Sequence, residues 1–116
     1  MSIPGRLKSY VGGSGEVNAN ITLASAATVN VPDDHNLFYV SGTTTITSLL
    51  AGPRTYNRSV MFVGAAGSTV VFTNTNTPTA AGQMYLHGAN RTIQEDDIIE
   101  LVCKQDGVWI LRNITV

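Results

Sequence analysis

The chain carries little charge and almost no cysteine. Of its 116 residues only 15 are charged, seven basic and eight acidic, and the formal net charge is -1. Because an average globular domain has about 25% charged residues, this chain has roughly half the usual number. The near-neutral balance argues against a nucleic-acid partner, which requires a clustered basic face. The single cysteine, Cys103, excludes an intramolecular disulfide and a thiolate metal cluster.

Long hydrophobic runs are also missing. No stretch approaches the roughly 18 apolar residues that a membrane-spanning helix requires, so a membrane partner is not expected. Arg6 and Lys8 are not followed by the apolar core of a signal peptide. The hydrophobic fraction of 43% argues against disorder. The sequence therefore predicts one soluble domain that is made in a reducing cytoplasm.

Small and uncharged polar residues replace the missing charges, since Gly, Thr, Asn and Ser account for 42 of the 116 residues. In residues 1–18, Pro4 and the glycine-rich segment 12–15 break any periodicity, which predicts an extended N-terminal arm. The apolar residues of this arm have no regular element to bury them: Ile3, Leu7, Tyr10 and Val11. Two interpretations stay open, a flexible terminus or a tether that docks on a neighbouring subunit.

Residues 19–116 show short strand patterns separated by turn residues. The apolar or alternating runs are 19–23, 28–31, 37–40, 43–47, 59–63, 68–73, 83–87, 98–103 and 108–112. Residues 37–40 are apolar throughout, which predicts a strand buried on both faces. Residues 48–51 are interpreted as a single helical turn. Two connections predict hairpins: 64–67, with a glycine at each end, and 104–107, which contains Asp-Gly.

Short strands that follow one another every 8–12 residues or so are typical of a β-sandwich or a barrel. We therefore expect an all-β fold. The expected architecture is a single jelly-roll-like β-sandwich of about eight or nine short antiparallel strands over residues 19–116, preceded by the arm of residues 1–18. No solenoid period recurs, although threonine-rich strands also suit the rung of a β-helix.

Few residues have the spacing of a catalytic or metal site. His35 and His87 lie 52 positions apart, and neither belongs to a metal-binding motif. The acidic clusters 33–34 and 95–97 fall in predicted turns, where carboxylates accept backbone hydrogen bonds. Polysaccharide hydrolysis or cation binding by these clusters are weaker alternatives. Cys103, in an apolar strand, indicates a buried side chain rather than a nucleophile. We expect no enzyme and no cofactor.

The aromatic residues admit two interpretations. Trp109 with Phe38, Tyr39 and Tyr85 would make a platform on which sugar rings stack. The chain has only eight aromatic residues, however, which favours a role for them in the core.

Several segments resemble a motif set of tailed-bacteriophage structural proteins. They are 36–48 (NLFYVSGTTTITS), 58–63 (RSVMFV), 86–88 (LHG), 96–102 (DDIIELV) and 106–109 (DGVW). The series is similar to β-rich modules of tail fibres and tailspikes and to small capsid decoration (cement) proteins. The resemblance runs from about residue 32 to the C-terminus. Many relatives have a glycine before the arginine, whereas this chain has Tyr56 and Asn57 before Arg58.

The resemblance implies a non-enzymatic virion component that forms homotrimers and is made in the host cytoplasm. The low charge agrees with assembly, because uncharged surface is stable when neighbouring subunits bury it. The first hypothesis is a capsid decoration protein that binds the major capsid protein and stabilises contacts between capsomers. A chain that starts at Met1, with no domain before the arm, motivates it. The partner-binding residues expected in the arm are Ile3, Arg6, Leu7, Lys8, Tyr10 and Val11.

The alternative is a receptor-binding module of a tail fibre or tailspike. In that case loop 74–82 and the aromatic residues near Trp109 would bind surface glycans.

Overall fold

The computed structural model describes residues 21–116, and these residues form an all-β fold. The strands are β1 (Thr22–Ala24), β2 (Thr28–Val31), β3 (Leu37–Ser41), β4 (Ser48–Ala51), β5 (Arg58–Gly64), β6 (Thr69–Phe72), β7 (Met84–Tyr85), β8 (Arg91–Gln94), β9 (Ile98–Cys103) and β10 (Trp109–Thr115). One 3-10 helix, Pro53–Thr55, separates β4 from β5. Within residues 21–116 no helix has the length and apolarity that crossing a membrane requires.

The strands form one large sheet and two small ones. The large sheet has six strands in the order β1-β3-β5-β9-β10-β7, and the pairs β2-β4 and β6-β8 make the two-stranded sheets. The pairs β1-β3, β3-β5, β2-β4 and β7-β10 are parallel, whereas β5-β9, β9-β10 and β6-β8 are antiparallel. The prediction of purely antiparallel strands is therefore wrong. The physical reason is the connection between β1 and β3. It passes through β2, which belongs to another sheet, so β3 pairs with β1 in the same direction.

Residues 22–72 coil instead of folding into hairpins. Strand β3 lies beside β1 with Tyr39 opposite Thr22, and β4 lies beside β2 with Leu49 opposite Val29. The next turn of chain repeats the arrangement, since β5 pairs with β3 and Ile46 forms a parallel bridge to Phe72 of β6. Stacked parallel strands of this kind are the geometry of solenoid rungs, the alternative that the threonine-rich strands suggested.

Three local predictions are wrong for the same reason. Residues 48–51 form strand β4 rather than a helical turn, and of residues 43–47 only Ile46 makes a bridge. The Gly64–Gly67 connection is not a hairpin, because β5 pairs with β3 and β9 while β6 pairs with β8. In each case pairing with a strand distant in the sequence overrides the local preference.

The C-terminal hairpin is confirmed. Strands β9 and β10 pair antiparallel through a turn in which Gly107 has a φ of 82°. The Val108 N–H donates to Asp106 Oδ1 at 3.0 Å. This hydrogen bond lowers the pKa of the Asp106 carboxyl from its ordinary value. The Asp-Gly pair acts as the sequence predicts, because glycine adopts positive φ without strain and aspartate satisfies a turn N–H group.

Side chains from all three sheets pack into one hydrophobic core. It contains β2 and β4 residues such as Val29 and Leu49, β6 and β8 residues such as Phe72 and Ile93, and the inner face of the large sheet. At its centre the Phe62 ring lies 6.0 Å from Phe38, 5.8 Å from Phe72 and 6.2 Å from Trp109. The Trp109 Nε1–H donates to Leu49 O at 2.9 Å, which ties the large sheet to the β2-β4 sheet.

Candidate binding surfaces

The outer side of the large sheet is apolar. Along β3, β5 and β9, buried side chains alternate with partly exposed ones, so one side faces the core and the other faces solvent. We define the outward face by its residues in these strands: Leu37, Tyr39, Ser41, Ser59, Met61, Val63, Ile98, Glu100 and Val102. At its centre Leu37 and Met61 lie opposite each other and are 38% and 37% exposed.

Charge on this surface is limited to one weak ion pair. Glu100 is the charged member of the outward face, and its carboxylate lies 3.8 Å from the Arg112 guanidinium. Arg112 also donates to Ser59 Oγ at 3.1 Å. The register of β9 and β10 shifts between Leu111 and Asn113, and this β-bulge turns Arg112 toward Glu100. The surface thus presents mainly aliphatic and aromatic groups, together with two serines and one carboxylate that lies near Arg112.

The sequence interpretation missed this surface. Residues 37–40 were expected to be buried on both faces, but Leu37 is exposed and Tyr39 is half-buried. The signal that could have found it lies in residues 59–63 and 98–103, where apolar residues occupy both phases of the alternation. Apolar residues in both phases predict a strand covered on both sides, whereas within residues 21–116 the outer side of these strands stays partly exposed.

A cleft of about 300 Å³ opens at the β7 edge of the large sheet. It is lined by Asn76, Thr77, Pro78, Tyr85, Lys104, Val108 and Ile110. These residues come from the loop 73–83, from β7 and β10, and from the turn of the C-terminal hairpin. A volume of this size lies at the lower end of the range for small-molecule sites.

Side-chain hydrogen bonds hold the loop beside this cleft. Gln83 Oε1 accepts from the Thr79 N–H at 2.7 Å and from the Ala80 N–H at 3.1 Å. Asn74 Oδ1 accepts from the Leu86 N–H at 2.8 Å, and the Asn74 N–H donates to Asn90 Oδ1 at 2.8 Å. The loop therefore has a defined shape without belonging to a sheet.

The aromatic residues divide between core and surface. Trp109 and Phe38 are fully buried, so the predicted core role is right for both and neither ring can stack on a ligand. Tyr85 lines the cleft, whereas Tyr39 belongs to the outward face. His87 packs against the Tyr85 ring with centroids 4.8 Å apart, and its Nε2 lies 2.9 Å from Leu111 O.

The acidic clusters 33–34 and 95–97 contain carboxylates that accept hydrogen bonds at turns. Glu95 accepts from the Gly67 N–H at 3.2 Å, and Asp97 accepts from the Gln94 N–H at 2.8 Å. Asp34 lies 2.9 Å from His35 Nδ1, and this hydrogen bond lowers the pKa of the Asp34 carboxyl. Among residues 21–116 no group of three or more His, Cys, Asp or Glu side chains is arranged to hold a metal ion.

The Cys103 thiol is buried, and we expect it to be inert. Burial raises its pKa to about 11, and the nearby Asp106 carboxylate adds to the shift. Since the thiolate is the reactive form, a disulfide reagent at pH 8 should leave the thiol of the folded protein unmodified and react with it in denaturant. Rapid stoichiometric labelling of the folded protein would contradict this burial.

The partner-binding residues expected in the arm, from Ile3 to Val11, lie outside the described residues. Comparisons with protein-family models, with curated proteins and with solved structures find no match to this chain. The site must therefore be interpreted from its own chemistry.

Proposed function

We propose that the chain is a non-enzymatic structural protein of a tailed-phage virion, a capsid decoration protein that forms a homotrimer on the capsid surface and binds the major capsid protein. The observation that supports assembly is the apolar outward face. Exposed apolar side chains such as Leu37 and Met61, which lie beside Glu100 on this face, are unfavourable in water and favourable against another subunit.

The strand directions support the same proposal. Sheets made only of parallel strands occur almost only with both faces covered. In this mixed sheet β1, β3 and β5 form a parallel part, and Leu37 and Met61 are exposed on its outer side. A second copy of the chain supplies the missing cover in this proposal, and the low charge of the whole sequence removes the repulsion that close packing of copies would cause.

A finer description of the fold belongs to this proposal. In a jelly-roll-like sandwich the β2-β4 and β6-β8 sheets would form the layer that faces the inner side of the large sheet. The core, which draws residues from all three sheets, is compatible with such a layer.

Binding to the capsid is assigned to the arm, with Ile3, Leu7 and Tyr10 as apolar contacts and Arg6 and Lys8 as polar ones. Deleting residues 1–15 is expected to abolish co-sedimentation with empty capsids of the phage that carries this chain, because the arm supplies the shell contacts. The circular dichroism spectrum and the solution mass should stay unchanged, since the core and the outward face lie in residues 21–116.

An Arg6→Gln/Lys8→Gln double variant keeps the chain length and removes only the two polar contacts that the proposal assigns to the arm. Undiminished capsid binding by the deletion variant would refute the decoration role.

A second candidate function is glycan recognition by a tail-fibre or tailspike module. The observation that favours it is the cleft, which combines the Tyr85 ring with the Asn76 amide and the Thr77 hydroxyl beside a loop held by hydrogen bonds. Aromatic faces and fixed polar groups are the elements of small-molecule recognition. A glycan array without any saccharide signal would remove this candidate.

A further inference from the structure

We propose that the cleft at the β7 edge is a saccharide site that takes a carboxylate-bearing sugar, a hexuronic acid unit of a surface polysaccharide. The inference rests on the second candidate function, glycan recognition, and names its ligand class. It is carried by three properties of the cleft: apolar side chains with one aromatic ring, polar groups of fixed direction, and one lysine, Lys104, in a weak exposed ion pair.

The floor of the cleft suits the apolar side of a sugar ring. Val108 and Ile110 lie on the C-terminal hairpin, and Tyr85 of the edge strand β7 pairs directly with Ile110 across the β7-β10 ladder. The edge contact with His87 fixes the Tyr85 ring. An aromatic ring held by its neighbours loses little conformational entropy when a ligand packs on it.

The polar groups stand on the loop side of the cleft. Asn76 Oδ1 accepts from Asn74 Nδ2 at 2.8 Å, which orients the Asn76 amide so that its own N–H groups are available to a ligand. Asn74 is itself held by Leu86 and Asn90. Thr77 adds a hydroxyl that donates and accepts. An amide and a hydroxyl of fixed direction match the vicinal hydroxyl groups of a pyranose.

The charge of the lining selects an acidic sugar. Lys104 is the charged residue among the seven that line the cleft. Its ammonium lies 3.5 Å from the Asp106 carboxylate, which is outside the lining, in a pair whose side chains are 47% and 60% exposed. Exposed pairs of this kind are weak, so a ligand carboxylate can compete with Asp106 for Lys104.

Isothermal titration with short oligogalacturonate and with the neutral oligogalactan of equal length tests the proposal. The oligogalacturonate is expected to bind at least about tenfold more tightly, as a charge-assisted hydrogen bond implies. Lys104→Gln should remove that preference and leave the weak neutral binding unchanged. Tyr85→Ala should weaken both ligands, because it removes the stacking face. Arg54→Gln, which changes an exposed cation of the 3-10 helix, is the matched control and should bind like the parent chain.

The outcomes separate the inference from the function on which it rests. Equal binding of the acidic and neutral ligands, or an acidic preference that survives Lys104→Gln, overturns the acidic specificity while glycan recognition stands. Absence of binding for both ligands at millimolar concentration overturns the specificity and, with an array free of saccharide signals, the glycan function too. Because Lys104 is exposed, the near-ultraviolet spectrum of Lys104→Gln should match the parent and exclude misfolding.

Discussion

Replacing Trp109 with alanine is expected to cost about 3–5 kcal/mol of folding free energy, the range for removing a fully buried aromatic side chain. Trp109 is 0% exposed, contacts Phe62 edge-on, and donates its indole N–H to Leu49 O. The change removes packing in the large sheet and the hydrogen bond to the β2-β4 sheet together. Because a domain of this size has a total stability of about 5–15 kcal/mol, the loss should be visible as a large shift in the urea unfolding midpoint.

Two variants make this result diagnostic. Trp109→Phe keeps most of the ring volume but loses the hydrogen bond, so it should cost less than the alanine change. Tyr39→Ala removes an aromatic side chain from the outward face of the same sheet and should cost the isolated chain much less than Trp109→Ala. Equal losses for Trp109→Ala and Tyr39→Ala at a concentration where the chain is monomeric would contradict the assignment of Trp109 to the core.

Placing two lysines on the outward face is expected to dissociate the proposed homotrimer. In the Leu37→Lys/Met61→Lys variant, the two charges replace directly opposed apolar side chains of β3 and β5. Buried in an interface, each ammonium would need a partner, and Glu100 is the only carboxylate on the face. The monomer should still fold, since both positions are partly exposed. Sedimentation velocity should show the mass of one chain at concentrations where we expect the parent to have the mass of the proposed trimer.

Leu50→Lys is the matched control for this experiment. Leu50 is an exposed leucine, 42% exposed, but it lies on β4 in a different sheet. It should leave the mass of the parent oligomer unchanged. If the Leu50 variant dissociates and the double variant does not, the interface lies on the β2-β4 sheet instead of the outward face.

The strands that the sequence predicts best are those whose partner is close in the chain. The hairpin of β9 and β10 is readable because the Asp-Gly turn and both apolar runs are contiguous. The partners of β4 cannot be read in this way, because Ser48–Ala51 becomes a strand through β2, about twenty residues earlier. Parallel and antiparallel strands also share the same period of two, so the pattern of residues 28–31 could not show the direction of pairing.

The candidate surfaces were predictable in part. Loop 74–82 was identified from its composition, and the structure places it beside a cleft. Lys104 was not identified, since it reaches the cleft only after β10 folds back beside β9. The outward face was hidden for another reason: Leu37 and Met61 have the hydrophobicity of core residues, and sequence alone does not distinguish burial within one chain from burial between chains.

We propose that this low-charge domain assembles with copies of itself through the outward face. The most direct test is the mass of the full chain measured by light scattering after size-exclusion chromatography. We expect a species of three times the chain mass of 12.3 kDa that persists on dilution. A monomer at every concentration, with Leu37 and Met61 freely exposed, would contradict it.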